Sequence, residues 1–471
     1  MGSAPIHVDA SSSFVPGATQ AELRAKGKKL REKCPRSSHA TWKAPPDRKD
    51  SVDLIEDANI GRLPELIPIR HGRMMLSPFT FYRGTALNMA SDLATTPATG
   101  IRVQVCGDAH LGNFRLFATP ERRVIFDIHD LDETLPAPWE WDVKRLAASF
   151  VVASRNNNLS EQVAREAVLT CVRSYREQMA EFGSMNVLDV WGASFEAEPL
   201  IKNFRCKRHR KHLAKRLAKV RERSAFEHDF PKLTSGGNKP VIREHPPTIY
   251  HWRKSKFLGA EVFHSYQDTL PSYRQGLVNR FELKDFAIKV VGVGSVGTAC
   301  FVGLLMAGPK DPLFLQVKEA RPSVLEPYAG ASIFPHHGQR VIMGHRLMQS
   351  SSDIFLGWTS GRSGRHYYVR QLRNAKIKFE VDRFDSSHMI QFAEQCGATL
   401  ARAHARTGEP ATISGYLGKG DIFDRSIADF SIVYADQAER DYESFVKAIH
   451  KGRLEAFVEG KGNSPARVDV N

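Results

Sequence analysis

Cysteine is scarce in this sequence and never closely paired: six occur in 471 residues, Cys34, Cys106, Cys171, Cys206, Cys300 and Cys396, with no Cys-x-x-Cys spacing. That pattern excludes a disulfide framework and the common zinc motifs. No apolar signal segment opens the chain, so a reducing cytoplasm is the expected setting. No internal repeat is visible. The uncharged run from Val290 to Gly308 is interrupted by Gly292, Gly294, Gly297, Gly303 and Gly308 and bracketed by Lys289 and Lys310. It reads as a buried, glycine-containing hairpin, and no membrane partner is expected.

Acidic residues are outnumbered, with 52 Asp and Glu against 67 Lys and Arg, a net charge of +15. The excess favours polyanionic or phosphorylated partners without choosing one. Apolar residues make up 42% of the chain, which excludes a disordered protein and allows two lobes around a substantial core.

Texture changes along the chain suggest five parts. Residues 1–60, rich in Ser, Pro, Lys and Arg, read as a flexible basic arm. Residues 61–200 combine an expected helix over Ala86–Ala94, strands over Ile101–Val105 and Arg123–Phe126, and helices over Trp141–Ala153 and Ser160–Phe182. Residues 201–280 hold a basic helical run, Lys202 to Arg223, followed by a loop over 235–247. A solvated helix face is the plain reading of that run and nucleic-acid binding the alternative; only Phe204 interleaves the charges, so base stacking has little support. Residues 281–375 are strand-rich, clearest at Phe286–Gly292, Leu313–Val317 and Tyr367–Leu372. Residues 376–471 return to helix, over Met389–Ala405 and Ile427–Ile449.

Two constellations carry chemistry. The first is Val105-Cys-Gly-Asp-Ala-His-Leu-Gly-Asn113, followed by Phe126-Asp-Ile-His-Asp-Leu-Asp-Glu133. Phosphoryl transfer needs a carboxylate near an attacking hydroxyl and oxygen ligands for magnesium. Asp108 fits the first role. Asn113 fits the second together with Asp130, or Asp132 next in preference, chosen from Asp127, Asp130, Asp132 and Glu133. His110 reads as a hydrogen-bonding organiser of the loop. The second constellation is Gly292-x-Gly294-Ser295-x-Gly297 with Lys318 at the end of an apolar strand. Such glycines also occur in dinucleotide folds and ordinary turns. A strand ending in lysine instead suits a hairpin that cradles ATP phosphates. No acidic residue stands in the helix-like segment Gln339–Gln349, which leaves Glu326 as the nearest candidate partner for Lys318.

The first constellation resembles the aminoglycoside phosphotransferase and choline kinase branch of the protein-kinase-like superfamily. There a Gly-Asp-x-x-x-x-Asn loop precedes a metal-binding Asp and an Asp-Leu-Ala type helix start. Asp142 with Leu146-Ala147 matches the last element, and a helix-cap role for Asp142 is compatible with it. From about Arg70 to His450 the chain also resembles an uncharacterised bacterial family, DUF2252. The matching segments include Arg73-Met-Met-Leu-Ser-Pro-Phe-Thr-Phe-Tyr-Arg-Gly84, Trp139-Glu-Trp-Asp142, Asp353-Ile-Phe-Leu-Gly-Trp358 and Leu400-Ala-Arg-Ala-His-Ala405. His129 stands where Asn is expected.

The resulting expectation is an α+β, two-lobed kinase-like fold, circularly permuted, with the catalytic loop ahead of the nucleotide lobe. It would use ATP and Mg2+ to phosphorylate a hydroxyl acceptor that the sequence does not specify. The alternatives are a catalytically degenerate scaffold, a basic polyanion-binding protein, and a metal-dependent phosphohydrolase built on His129-Asp130. Oligomeric state is not legible.

Overall fold

The computed structural model describes residues 17–203, 207–221, 230–235, 239–251, 262–290, 292–361, 364–372 and 377–459. Its strands are β1 (Arg102–Val105), β2 (Phe114–Ala118), β3 (Val124–Ile128), β4 (Leu135–Pro138), β5 (Thr234–Ser235), β6 (Val241–Ile242), β7 (Ile249–Tyr250), β8 (Glu282–Lys289), β9 (Cys300–Gly308), β10 (Asp311–Ala320), β11 (Gly357–Ser360) and β12 (His366–Gln371). The last six form one antiparallel sheet in the order β11-β12-β10-β9-β8-β7. β1 pairs with β4, β2 with β3 and β5 with β6 as separate ribbons. The protein is therefore of mixed helix and sheet.

Alternation along β10 sorts its two faces. Leu313, Leu315 and Val317 enter an apolar cluster with Phe286, Ile288, Phe301 and Val369. Phe314, two residues before Gln316 and four before Lys318, packs on the other side with Ala287, Val302 and Leu304. That second face becomes polar toward the strand's end, where Gln316 stands opposite Arg370 and Lys318 opposite Tyr368. The run from Val290 to Gly308 is the expected hairpin: a glycine turn leads into β9, which pairs with both β8 and β10. Among the described residues no helix is long and apolar enough to cross a membrane.

A larger helical core lies beside the sheet, built on the helices Trp139–Asn156, Glu161–Phe182, Ser386–Ala405 and Ile422–His450. Ser160 opens the second by accepting from Val163 N, and Asp385 the third by accepting from His388 N. These two helices approach so closely that a Cβ on Gly397 would fall 2.0 Å from the Cys171 carbonyl oxygen.

Two expectations need correction. The basic arm is not loose from residue 17 onward. Its helix Gln20–Lys29 packs on Pro410–Leu417, Arg31 donates to the carbonyls of Gly415 and Tyr416, and Arg48 bridges buried Asp92 and Asp441. Composition concealed this because the anchors are a few buried residues, Leu23, Cys34 and Trp42, spread among charges that find distant partners. The 235–247 loop contains β5 and β6.

The basic run forms the helices Ala197–Asn203 and Lys207–Arg221, the second seated by buried Leu213 and Leu217 with Lys211 and Lys215 exposed. Phe204, Arg205, Cys206 and the end of that run at Arg223 lie outside the described residues.

Candidate functional site

The loop after β1 is bent by backbone requirement. Gly107 has φ +81°, and a Cβ there would lie 2.3 Å from the Glu133 carbonyl oxygen. Asp142, in the first turn of Trp139–Asn156, fixes the loop by accepting from Cys106 N at 2.6 Å and Gly107 N at 3.0 Å. Asp142 makes no cap bond to its own helix. Arg145, one turn further, donates Nε at 2.8 Å and Nη2 at 2.5 Å to Asp108 Oδ1. Burial raises the Asp108 carboxyl above its ordinary value despite the pull of Arg145. Both arginine contacts fall on one oxygen, leaving Oδ2 on the cleft side with His110 Nε2 at 3.9 Å.

Asn113 ends the short turn Leu111–Asn113 and clasps the peptide of Asp130. Its Oδ1 accepts from Asp130 N at 2.8 Å, and its Nδ2 donates to Asp130 O at 2.7 Å. The amide is thus a positioning group with one oxygen lone pair remaining. The expected organiser role of His110 takes another form: no hydrogen bond to its ring is formed among the described residues. The ring packs where a Cβ on Gly112 would come within 3.2 Å, and burial with nearby Arg83 and Arg145 pushes its pKa down, so it stays neutral.

Lys318, buried on β10, crosses from the sheet to the acidic loop. Its Nζ lies 3.1 Å from Asp130 Oδ1 and 2.5 Å from Asp132 Oδ2. Burial opposes the charge, but the two carboxylates more than offset it and raise the lysine well above its ordinary range. The effect on Asp130 is reciprocal: burial is outweighed by Lys318 and Arg370, and the carboxyl is held well below its usual range. The two aspartates differ. Asp132 also accepts from Tyr368 Oη at 2.5 Å and Ser295 Oγ at 3.4 Å, whereas the Asp130 carboxylate accepts, among the described residues, from Lys318 alone, with Arg370 3.9 Å away; both aspartates line the cleft. Asp130 is the better placed to coordinate a cation.

Above them lies the glycine turn, where Gly292 (φ +73°) and Gly297 (φ +88°) take conformations that other residues resist. Its carbonyls are held from outside the sheet: Arg73 donates to Gly292 O, Arg62 to Val296 O, and Leu63 N to Gly297 O. Gly292, Gly294 and Ser295 line one cleft of about 260 Å3 together with Asp108, Asn113, Asp130 and Asp132. The two constellations therefore share a site although 188 residues separate Asp130 from Lys318.

Glu326 does not pair with Lys318. It accepts from Ser323 N and lies 4.0 Å from Arg340, because the lysine points to the aspartates instead. Asp127 is also outside the cleft, fully buried in β3, where it pairs with Arg402 and accepts from Ser350 N and Oγ. It braces the acidic loop from behind. His129 lines a different hollow, with Phe117, His345 and Arg370.

Sequence reading missed Arg145, Tyr368, Arg370 and Arg340. Asp142 and Arg145 stand three apart on one helix face, a spacing that could have joined Arg145 to the loop. Tyr368 and Arg370 required the β10–β12 register. Arg340, in the helix His337–Met348, donates to the carbonyls of Asp132, Thr134 and Arg321, bracing the acidic loop where an acidic residue was sought.

Among the described residues no group of three or more His, Cys, Asp or Glu side chains could hold a metal unaided. A hard cation such as magnesium does not require one, since a carboxylate or two and ligand oxygens suffice. In class, then, this is a mixed helix-and-sheet protein whose cleft is lined by a glycine turn and three aspartates, two of them paired with a buried lysine. The chain belongs to the family described as "Uncharacterized protein conserved in bacteria (DUF2252)", whose model matches residues 62–448. No curated protein and no solved structure matches it.

Proposed function

We propose that this protein is an ATP- and magnesium-dependent phosphotransferase of kinase-like, circularly permuted build, acting on a hydroxyl acceptor. The observation that carries the reading is that buried Lys318 holds Asp130 and Asp132 from behind, and that these two aspartates line one cleft with Asp108 and the glycine turn. Element order supports it. In kinase-type nucleotide lobes a glycine-rich turn covers the phosphates, a lysine stands on the third strand and a helix follows. Here the glycine turn joins β8 to β9, Lys318 stands on β10 and His337–Met348 follows. The acidic loop precedes all of these in sequence, whereas in ordinary kinases it comes after.

In this reading Asp108, fixed by Arg145, orients the acceptor hydroxyl and takes its proton as the acceptor oxygen bonds to the γ-phosphorus and the bond from that phosphorus to the bridging oxygen breaks, releasing ADP; its raised pKa suits a base. Lys318 and the amides of the glycine turn neutralise the nucleotide's phosphates. Asp130, with Asn113 contributing or positioning, would hold magnesium, which draws charge from the phosphate oxygens when bound. Asp132, engaged by Lys318 and Tyr368, keeps the lysine in place.

The internally satisfied Asp130–Lys318–Asp132 cluster favours, as a second reading, a kinase-like scaffold without turnover. Thermal unfolding separates the two. MgATP is expected to raise the melting temperature of the wild-type protein, because a ligand that binds only the folded state stabilises it. The rise should vanish in Lys318→Ala and Asp130→Ala. No rise at millimolar MgATP would remove the phosphotransferase reading and leave the scaffold.

A further inference from the structure

The walls of the cleft carry more positive charge than a nucleotide site accounts for. Arg62, Arg70, Arg83, Arg115 and Arg321 line it. Among the described residues none of these five forms an ion pair within 4.0 Å. Arg62, Arg70 and Arg321 are committed to carbonyls and an amide around the glycine turn and residues 58–60. They form the rim on the nucleotide side.

Arg83 and Arg115 are different. Both are largely withdrawn from solvent, and among the described residues neither guanidinium donates a hydrogen bond; the Nε of each is buried without an acceptor, a feature Arg70 shares, but the other Arg70 nitrogens are bound. Arg115 follows Asn113 by two residues, at the start of β2. The Arg83 Nε lies 3.7 Å from where a Cβ on Gly112 would stand, placing this guanidinium against the loop that carries Asp108. Arg83 feels the charge of Asp108 first and of Asp130 next, and Arg115 feels Asp130 first and then the like charges of Arg370 and Arg83. The charge of exposed Lys378 reaches both arginines. Two like charges held together beside a buried carboxylate, with unused donors, are costly unless an anion joins them. Guanidinium pairs are the usual protein group for a phosphate or carboxylate.

We infer that Arg83 and Arg115 form an anion subsite on the Asp108 side of the cleft, so that the acceptor is a hydroxyl compound bearing a phosphate or similar anionic group. This rests on the phosphotransferase reading for the word acceptor; the anion subsite itself does not. It argues against a cationic acceptor of the aminoglycoside or choline kind, which these arginines would repel. The anion could instead be the nucleotide's own terminal phosphate, a source the test must separate.

The test uses the full-length protein, with inorganic phosphate as the probe. Phosphate is titrated with and without a saturating magnesium complex of a non-hydrolysable ATP analogue, and binding is read from the melting temperature. Phosphate is expected to raise the melting temperature additively with the analogue. Arg83→Met and Arg115→Met should each weaken phosphate binding about tenfold or more while leaving the analogue's shift in place. Arg83→Lys and Arg115→Lys, which keep the charge and most of the packing, should restore part of the phosphate response if either methionine variant fails to fold. A phosphate response that the analogue abolishes, or analogue binding lost in the arginine variants, would assign these residues to the nucleotide and overturn the inference. So would a wild-type protein that ignores phosphate, or one stabilised by an aminoglycoside at low concentration. A phosphate response without any analogue response would retain the anion subsite and remove only the phosphotransferase reading.

Discussion

Lys318 shows how far one buried charge can organise its surroundings. It touches two carboxylates and lies 5.4 Å from the centre of the Tyr368 ring, so its removal strips Asp132 of its ion-pair partner and leaves Asp130 only Arg370, 3.9 Å away. Lys318→Met is expected to lower the unfolding free energy by about 3 kcal/mol, the usual cost of breaking a buried pair from one side. Urea unfolding measures it. The pH dependence has a definite sign. Asp130 titrates lower in the folded protein than in the unfolded chain. Its contribution is therefore complete above about pH 4, the ordinary aspartate range, and drains away as the pH falls below it. In Lys318→Met the acid limb should flatten; an unchanged acid limb would show that the lysine does not set the Asp130 pKa.

At the scale of elements, the catalytic-type loop and the glycine turn depend on backbone geometry more than on side-chain chemistry. Gly107 allows β1 to pass the Glu133 carbonyl, and its φ is positive. Gly107→Ala should therefore cost about 2 kcal/mol or more, as measured by chemical denaturation, through strain and displacement of the 131–134 segment. Gly276, in the middle of the helix Ser272–Val278 with open space at its Cβ, supplies the control: alanine there should stabilise slightly. Equal effects at the two positions would sink the geometric account. The strands and helices that carry the site were mostly legible, because their apolar periods are strong: Trp141–Ala153 and Met389–Ala405 fall within observed helices, Ser160–Phe182 exceeds its helix only by the N-cap Ser160, and β8, β10 and β12 overlap the expected strands. β2 and β4 were not, since β2 directly follows the Asn113 turn and β4 contains Pro136 and Pro138, which mark an edge more than a strand.

For the whole molecule, residues 17–61, ahead of the family match that starts at residue 62, are part of the core and not an appendage. Arg48 joins Asp92 of one helix to Asp441 of Ile422–His450, with both carboxylates buried. Arg48→Met should destabilise the protein by about 3 kcal/mol, seen as a lowered urea midpoint. A change within about 0.5 kcal/mol, the size of an ordinary surface substitution, would return residues 17–50 to the status of a loose arm.

The sequence by itself determined the two constellations, the hairpin nature of Val290–Gly308 and the main helices, because each is encoded locally by residue type and spacing. The tertiary structure alone decided which groups meet. Lys318 turned to Asp130 and Asp132 and not to Glu326. Asp127 went behind the site to Arg402, and Arg145 and Asp142 came to opposite sides of one loop. Those pairings span tens to hundreds of residues, and a buried charge selects its partner from whatever the fold brings within reach of a hydrogen bond. Local pattern cannot carry that information. It resides in the register of β10 against β12 and in the docking of the sheet's polar face over the acidic loop after β3.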